Sequence, residues 1–220
     1  MAVRLQKVDC RQSVIQRSVG IEFYRRAGRE ARKLGILAGA FNPPTRAHLG
    51  LAEAGLGAVD EVLFVLPRAF PHKEYGVAAF EARLRMLLTC TAGEPRCSVA
   101  SVAGGLFVDI VRECRESYAP GTRLAVLCGR DAAERIVTWD YGYAGAVEEI
   151  LKEFEVLVAS RGGHYEPPPG LRNRIHAIPI APGFEEISAT EVRERISRGE
   201  LWDHLVPESI TQTVRELYPR

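Results

Sequence analysis

The chain has 220 residues, a formal net charge of +1 and 46% hydrophobic residues. That length can bury a large core without disulfide or metal staples, and the near-neutral charge gives no electrostatic case for a nucleic-acid or membrane partner. Its cysteines (Cys10, Cys90, Cys97, Cys114 and Cys128) are scattered, odd in number and without a C-x-x-C pair, which excludes a disulfide frame and a cysteine zinc site and points to reduced thiols.

Residues 1–33 carry Arg4, Lys7, Arg11, Arg17, Arg25, Arg26, Arg29, Arg32 and Lys33 against Asp9, Glu22 and Glu30. Within them Ile15, Val19, Phe23 and Ala27 recur at every fourth position, which predicts an amphipathic helix in a basic extension. The first residues lack the apolar core of a signal peptide, and no apolar run reaches the roughly 20 residues of a membrane span, so a cytoplasmic protein is expected.

From Leu34 the pattern changes. "LGILA", "EVLFVL", "CSVAS", "RLAVLC" and "FEVLVAS" are short and uniformly apolar, as strands covered on both faces are. Helical patterns separate them, for instance over 81–91 and 108–116. This alternation predicts one domain over 34–220, with a doubly wound parallel α/β sheet, preceded by the basic helical extension over 1–33. Ligands of such sheets sit beyond the carboxyl ends of the strands, so the residues after each strand are the candidates for chemistry.

After "LGILA" the chain reads "GAFNPPTRAH". Gly39 allows close backbone approach, and Pro43 and Pro44 fix the chain before a helix start. Thr45 is a candidate N-cap, and His48 falls in the first turn. Free N–H groups and the positive helix end favour anions there. A plain capped helix is the alternative. Far downstream, "ISATEVRERI" places Ser188 and Glu191 at capping-box spacing, with Thr190 and Arg193 near the first turn of a second helix. Between them lie "PRAFPHKEYG", where His72 and Lys73 add donors beyond the second strand, and "LCGRDAAERIVTW". There Gly129 permits close backbone approach, and Asp131 can accept from sugar hydroxyls or cap a helix.

The first of these strings resembles the G-x-F-[DN]-P-x-[HT]-x-x-H signature of the nucleotidylyltransferase superfamily, and the second its I-S-[ST]-T-x-[IV]-R motif. Over residues 34–218 the chain is similar to bacterial nicotinate-nucleotide adenylyltransferases, with Thr45 where bacterial members usually carry His. The resemblance implies a Rossmann-like nucleotidylyltransferase fold and transfer of AMP from ATP to nicotinate mononucleotide, giving deamido-NAD and pyrophosphate, with Mg²⁺ arriving with ATP. His48, Arg193 and Thr45 would be catalytic. Gly39, Phe41, Thr45, His48, Gly129, Asp131, Arg161, Ser188, Thr190 and Arg193 would bind ATP. Asn42, His72, Lys73, Trp139, Phe107 and Val108 would bind the mononucleotide, Trp139 by stacking on the pyridine ring. No metal ligand is assigned to the protein. Arg83 lies in a string that matches the family's R-L-x-M helix, with a structural role. "LVPESITQTVRELY" resembles the family's final helix and is read as packing.

Two departures are visible. Relatives carry Tyr and Thr where this chain has Phe107 and Val108, which removes hydroxyls from the region that holds the pyridine carboxylate. Arg130 stands at a position usually small. Nicotinamide mononucleotide, phosphopantetheine or another phosphorylated acceptor therefore remains an alternative. A non-catalytic nucleotide-binding module with an N-terminal interaction arm is the alternative of another class. A membrane or specific nucleic-acid partner is not expected, and self-association is left open.

Overall fold

A computed structural model of the chain describes residues 20–69, 78–159, 165–184 and 187–218. Seven strands form a single sheet: β1 (Glu22–Arg25), β2 (Lys33–Ala38), β3 (Glu61–Pro67), β4 (Cys97–Val102), β5 (Arg123–Gly129), β6 (Glu155–Ala159) and β7 (Ile175–Ile178), in the order β1-β4-β3-β2-β5-β6-β7. All neighbours are parallel except β1, which runs antiparallel to β4. Among the parallel strands the order reverses beside β2, the first of them in the chain, with β3 on one side and β5 on the other. A crevice opens at such a switch point because the two exit loops diverge to opposite faces.

The helices are α1 (Arg46–Leu56), α2 (Phe80–Cys90), α3 (Phe107–Ser117), α4 (Arg130–Thr138), α5 (Ala146–Ile150), α6 (Ala189–Arg198) and α7 (Thr211–Leu217). Alternate strand residues divide the core into two layers. Leu34, Ile36, Leu63 and Val65 pack with Ile110 and Cys114 of α3 and Ile136 of α4. Leu37, Val62, Phe64 and Leu66 pack with Leu51 of α1 and with Leu84 and Leu87 of α2. The uniformly apolar strings are thus strands sandwiched between helices, as their composition predicts. Helix α1 approaches the sheet closely: a Cβ at Gly55 would stand 2.5 Å from Leu127 Cδ1. A third cluster joins Met86 of α2, Val192 and Ile196 of α6, and Val214 and Tyr218 at the C-terminus.

The N-terminal expectation needs correction. Glu22–Arg25 is an edge strand, not a turn of helix. Ile21 and Phe23 pack on the α3 side of the sheet and Tyr24 on the other, which is a period of two. The fourfold spacing that reaches Phe23 and Ala27 matched the helical period, but the open edge of β4 supplies backbone partners that outweigh it. Arg25 reinforces the pairing with four hydrogen bonds: Nε to Cys97 O (3.2 Å), Nη1 to Leu88 O (3.3 Å), and Nη2 to Thr91 O (2.9 Å) and Thr91 Oγ1 (2.6 Å). Ile15 and Val19 lie outside the described residues.

Burial pushes the thiols of Cys90, Cys97, Cys114 and Cys128 up to about 12, so they stay neutral and pack as small apolar groups. No helix among the described residues is long and apolar enough to cross a membrane.

Candidate active site

The loop from β2 to α1 lies at the switch point. Ile36 of β2 is opposite Val126 of β5, so the strand ends carry Gly39 and Gly129 out side by side. Gly39 N–H donates to Val65 O at 3.1 Å, which holds the loop start against β3. A Cβ on Gly39 would meet the Phe41 ring at 3.2 Å, so glycine lets that ring fold back over the strand end. Phe41 itself takes φ +46°, and the Asn42–Pro43 peptide is cis. A bulky residue in the left-handed region is strained by about 1–3 kcal/mol and persists only where its surroundings hold it. Here Phe41 is 1% exposed, against Phe64 (ring centroids 5.8 Å apart) and His48 (5.1 Å, edge-on).

Thr45 is the N-cap of α1, and His48 is its third helical residue. The His48 ring turns back on the cap: Nδ1 accepts from Thr45 N–H (3.0 Å) and lies 2.8 Å from Thr45 Oγ1. A backbone N–H can only donate, so Nδ1 carries no proton in this arrangement and the neutral ring has its hydrogen on Nε2. Thr45 is fully buried and its hydroxyl faces the imidazole. The phosphate-binding role expected of Thr45 and the contact it makes with His48 thus involve the same hydroxyl.

Helix α6 closes the site from the far end of the chain. Its N-cap is Ser188, whose Oγ accepts from Glu191 N–H at 3.0 Å, as the capping-box spacing predicts. The Glu191 carboxylate then pairs with Arg195 (2.5 Å). Arg193 Nη1 donates to Asn42 O (2.5 Å) and to Ala189 O (3.1 Å), and Nη2 donates to Thr190 Oγ1 (3.2 Å). The two motifs that stand far apart in sequence therefore meet through Arg193 and Asn42. Three of the guanidinium's five donors are used in this way among the described residues, and the side chain remains half-buried beside two helix N-termini.

Asn42, 4% exposed, serves the frame: its carbonyl receives Arg193 and its Oδ1 receives the Tyr218 hydroxyl. Arg83, also buried, donates to Ala40 O at 2.9 Å, the structural role expected of it. Phe41 and Asn42, both expected to touch ligand, are thus covered side chains that shape the loop.

The remaining candidates spread along the same sheet edge. Phe107 and Val108 open α3 after β4, both half-buried, beside Asp109, which pairs with Arg112 (3.2 Å). Gly129 caps α4, and Asp131 lies exposed in its first turn. Arg130 does not turn inward; it pairs with Glu134 at 2.8 Å on the outer face of α4. Trp139 ends α4 and is 47% exposed. His72, Lys73 and Arg161 lie outside the described residues. No local sequence pattern marks strand β7 or the reach of Tyr218 into the loop.

An open, mostly parallel sheet with two capped helix N-termini, a histidine and an arginine converging at its switch point defines an α/β protein of the class that handles nucleotide phosphates. The chain belongs to the cytidylyltransferase-like family, whose model matches residues 36–195. It is 32% identical over 200 residues to a protein of Moorella thermoacetica named "Probable nicotinate-nucleotide adenylyltransferase", covering 83% of this chain and 89% of that one. A Thermus thermophilus protein of the same name is 31% identical over 188 residues, covering 81% and 94%. The fold is also that of Plasmodium falciparum nicotinic acid mononucleotide adenylyltransferase solved with NaAD. That match has a TM-score of 0.64 and 19% identity over 84% of this chain and 95% of the other.

Proposed function

We propose that this protein transfers AMP from ATP to nicotinate mononucleotide, releasing pyrophosphate and forming deamido-NAD. The observation that carries this reading is the junction of the two motifs. Arg193 at the start of α6 is bonded to Asn42 in the loop that leads into α1 and His48. One cationic fork and two helix N-termini then face one crevice, an arrangement suited to a polyphosphate. The relatives named for this reaction, and the neighbour solved with its product, support the choice of acceptor.

In the transfer, a phosphate oxygen of the mononucleotide attacks the ATP α-phosphorus in line. The new P–O bond forms as the bond to the β-phosphate oxygen breaks, and pyrophosphate leaves. The nucleophile is already anionic, so no general base is needed; catalysis is positioning and charge stabilisation. Nε2–H of His48 donates to the α-phosphate, its tautomer set by Thr45. The α6 N-terminus and Arg193 take up charge on the β- and γ-phosphates. Asp131 receives sugar hydroxyls, and Trp139 stacks on the pyridine ring. Mg²⁺ comes as part of the MgATP substrate, bound by phosphate oxygens and water.

Acceptor choice rests on little. Phe107 and Val108 offer no hydroxyl, so discrimination falls to backbone N–H groups at the start of α3 and around Trp139. Such donors suit a carboxylate and oppose an amide NH₂, a mismatch worth about 1–3 kcal/mol per buried group. Pyrophosphate release measured with each mononucleotide at fixed ATP should therefore favour nicotinate over nicotinamide by about one to two decades in kcat/KM. Val108→Thr should widen the margin. A wild-type preference for the amide would overturn the acceptor assignment, and release with neither would overturn the function.

A further inference from the structure

The C-terminal helix ends on a side chain that reaches the phosphate site. Tyr218 follows α7, is 3% exposed, and packs in the cluster that joins α2, α6 and α7. Its hydroxyl donates to Asn42 Oδ1. Burial raises the phenol well above the ordinary tyrosine range, although Arg193 and Arg83 are near enough to oppose it, so the group stays protonated and remains a donor. The same Asn42 receives Arg193 at its carbonyl, 2.5 Å from Nη1. One residue is therefore held through its side chain by the C-terminus and, in turn, holds the arginine through its backbone.

The loop around Asn42 needs such anchors. Phe41 before it has φ +46°, and Arg83 pins Ala40 O. The Tyr218 bond is one of the anchors of this loop, and any shift of the loop backbone carries the Asn42 carbonyl, and with it the partner of Arg193. An apolar side chain at 218 would fill the space yet leave Asn42 Oδ1 buried without its donor, which costs more than the bond itself.

We propose that Tyr218 is a positioning residue for nucleotidyl transfer: through Asn42 it sets the orientation of Arg193, and so the hold on the β- and γ-phosphates of ATP. The proposal rests on the adenylyl-transfer reading and deepens it. The test is Tyr218→Phe in the full chain, alone and combined with Arg193→Ala. Binding of a non-hydrolysable ATP analogue is titrated without acceptor, and steady-state constants and melting temperature are measured beside it. Tyr218→Phe should weaken analogue binding and raise KM for ATP by about five- to tenfold, the scale of one buried hydrogen bond. KM for the mononucleotide should change less than about twofold. In the Arg193→Ala background the same change should alter analogue affinity by less than about twofold, because the group being oriented is gone. Val214→Ala loosens the same helix and should lower the melting temperature without raising KM for ATP. Equal losses with and without Arg193, or a Val214→Ala variant that raises KM as much as Tyr218→Phe, would overturn the proposal. Analogue binding needs no turnover, so a wild type that binds it yet transfers to neither pyridine mononucleotide would sink the functional reading and leave the role of Tyr218 measurable.

Discussion

In the proposed reaction the two ring nitrogens of His48 do different work. Nδ1 closes the cap of α1 with Thr45, and that bond places the proton on Nε2. His48→Ala should lower kcat by about 10²–10³, the loss seen when a transition-state donor is removed. Circular dichroism should show the fold intact. Thr45→Val keeps the backbone donor and removes only the hydroxyl 2.8 Å from Nδ1. It should reduce kcat by about tenfold or less with KM for ATP unchanged. A rise in KM with kcat intact would mean that the Thr45 hydroxyl meets phosphate after all. At this scale the motif strings revealed which residues gather, since a helix N-terminus is an anion site whatever surrounds it. They did not reveal which side chains stay covered. Phe41, Asn42 and Thr45 read as ligand contacts from their neighbours in the chain, yet all three are buried, because the loop folds over its own residues.

Among the elements, β1 changes the expectation most. A chain beginning near Arg32 should keep every candidate contact of the site, and on the sequence alone it should fold. The structure puts Glu22–Arg25 in the sheet, so that truncation strips β4 of its outer neighbour and exposes an apolar edge. The truncated chain should melt several degrees lower and self-associate, read by thermal denaturation and size-exclusion chromatography. Arg25→Ala isolates the same link. It removes four hydrogen bonds to Leu88, Thr91 and Cys97 and should cost about 2 kcal/mol in urea denaturation, less than their sum because the acceptors regain water. A truncated chain that is monomeric, active and equally stable would show that the sheet does not need β1. The parallel strands were legible because burial on both faces leaves an unbroken apolar run. An edge strand such as β1 or β7 is covered less completely. In β7 His176 and Ala177 are exposed between buried Ile175 and Ile178, which leaves no run to read.

For the molecule as a whole, one contribution to pH-dependent stability comes from a carboxyl set into the α3 face, opposite in sign to that of Glu22, Glu94 and Glu155, whose hydrogen-bonding partners lower their proton affinity. Glu113 is 9% exposed, and its Oε2 has no hydrogen-bond partner among the described residues. Burial, then the nearby Asp109 and Glu116 charges, raise its affinity for a proton above the ordinary 4.5. The folded state thus binds a proton that the unfolded state releases first. The Glu113 contribution to stability therefore falls as pH rises from about 4.5 and levels off above the raised value. Glu113→Gln imitates the neutral form, so it should raise the melting temperature at pH 8 and give no gain near pH 4. Equal gains at both would place the effect in packing instead of charge. Local periodicity and spacing were enough for the alternation of buried strands and helices, the carboxyl edge as the place for chemistry, and the two capped helix ends with His48 and Arg193. Three features came from folding alone: residues 22–25 join the sheet, the Thr45 hydroxyl faces the His48 ring, and Tyr218 reaches Asn42. Each of these is a choice of partner across many residues of chain. It is settled by which buried donor or acceptor would otherwise go unpaired, and no local pattern records that.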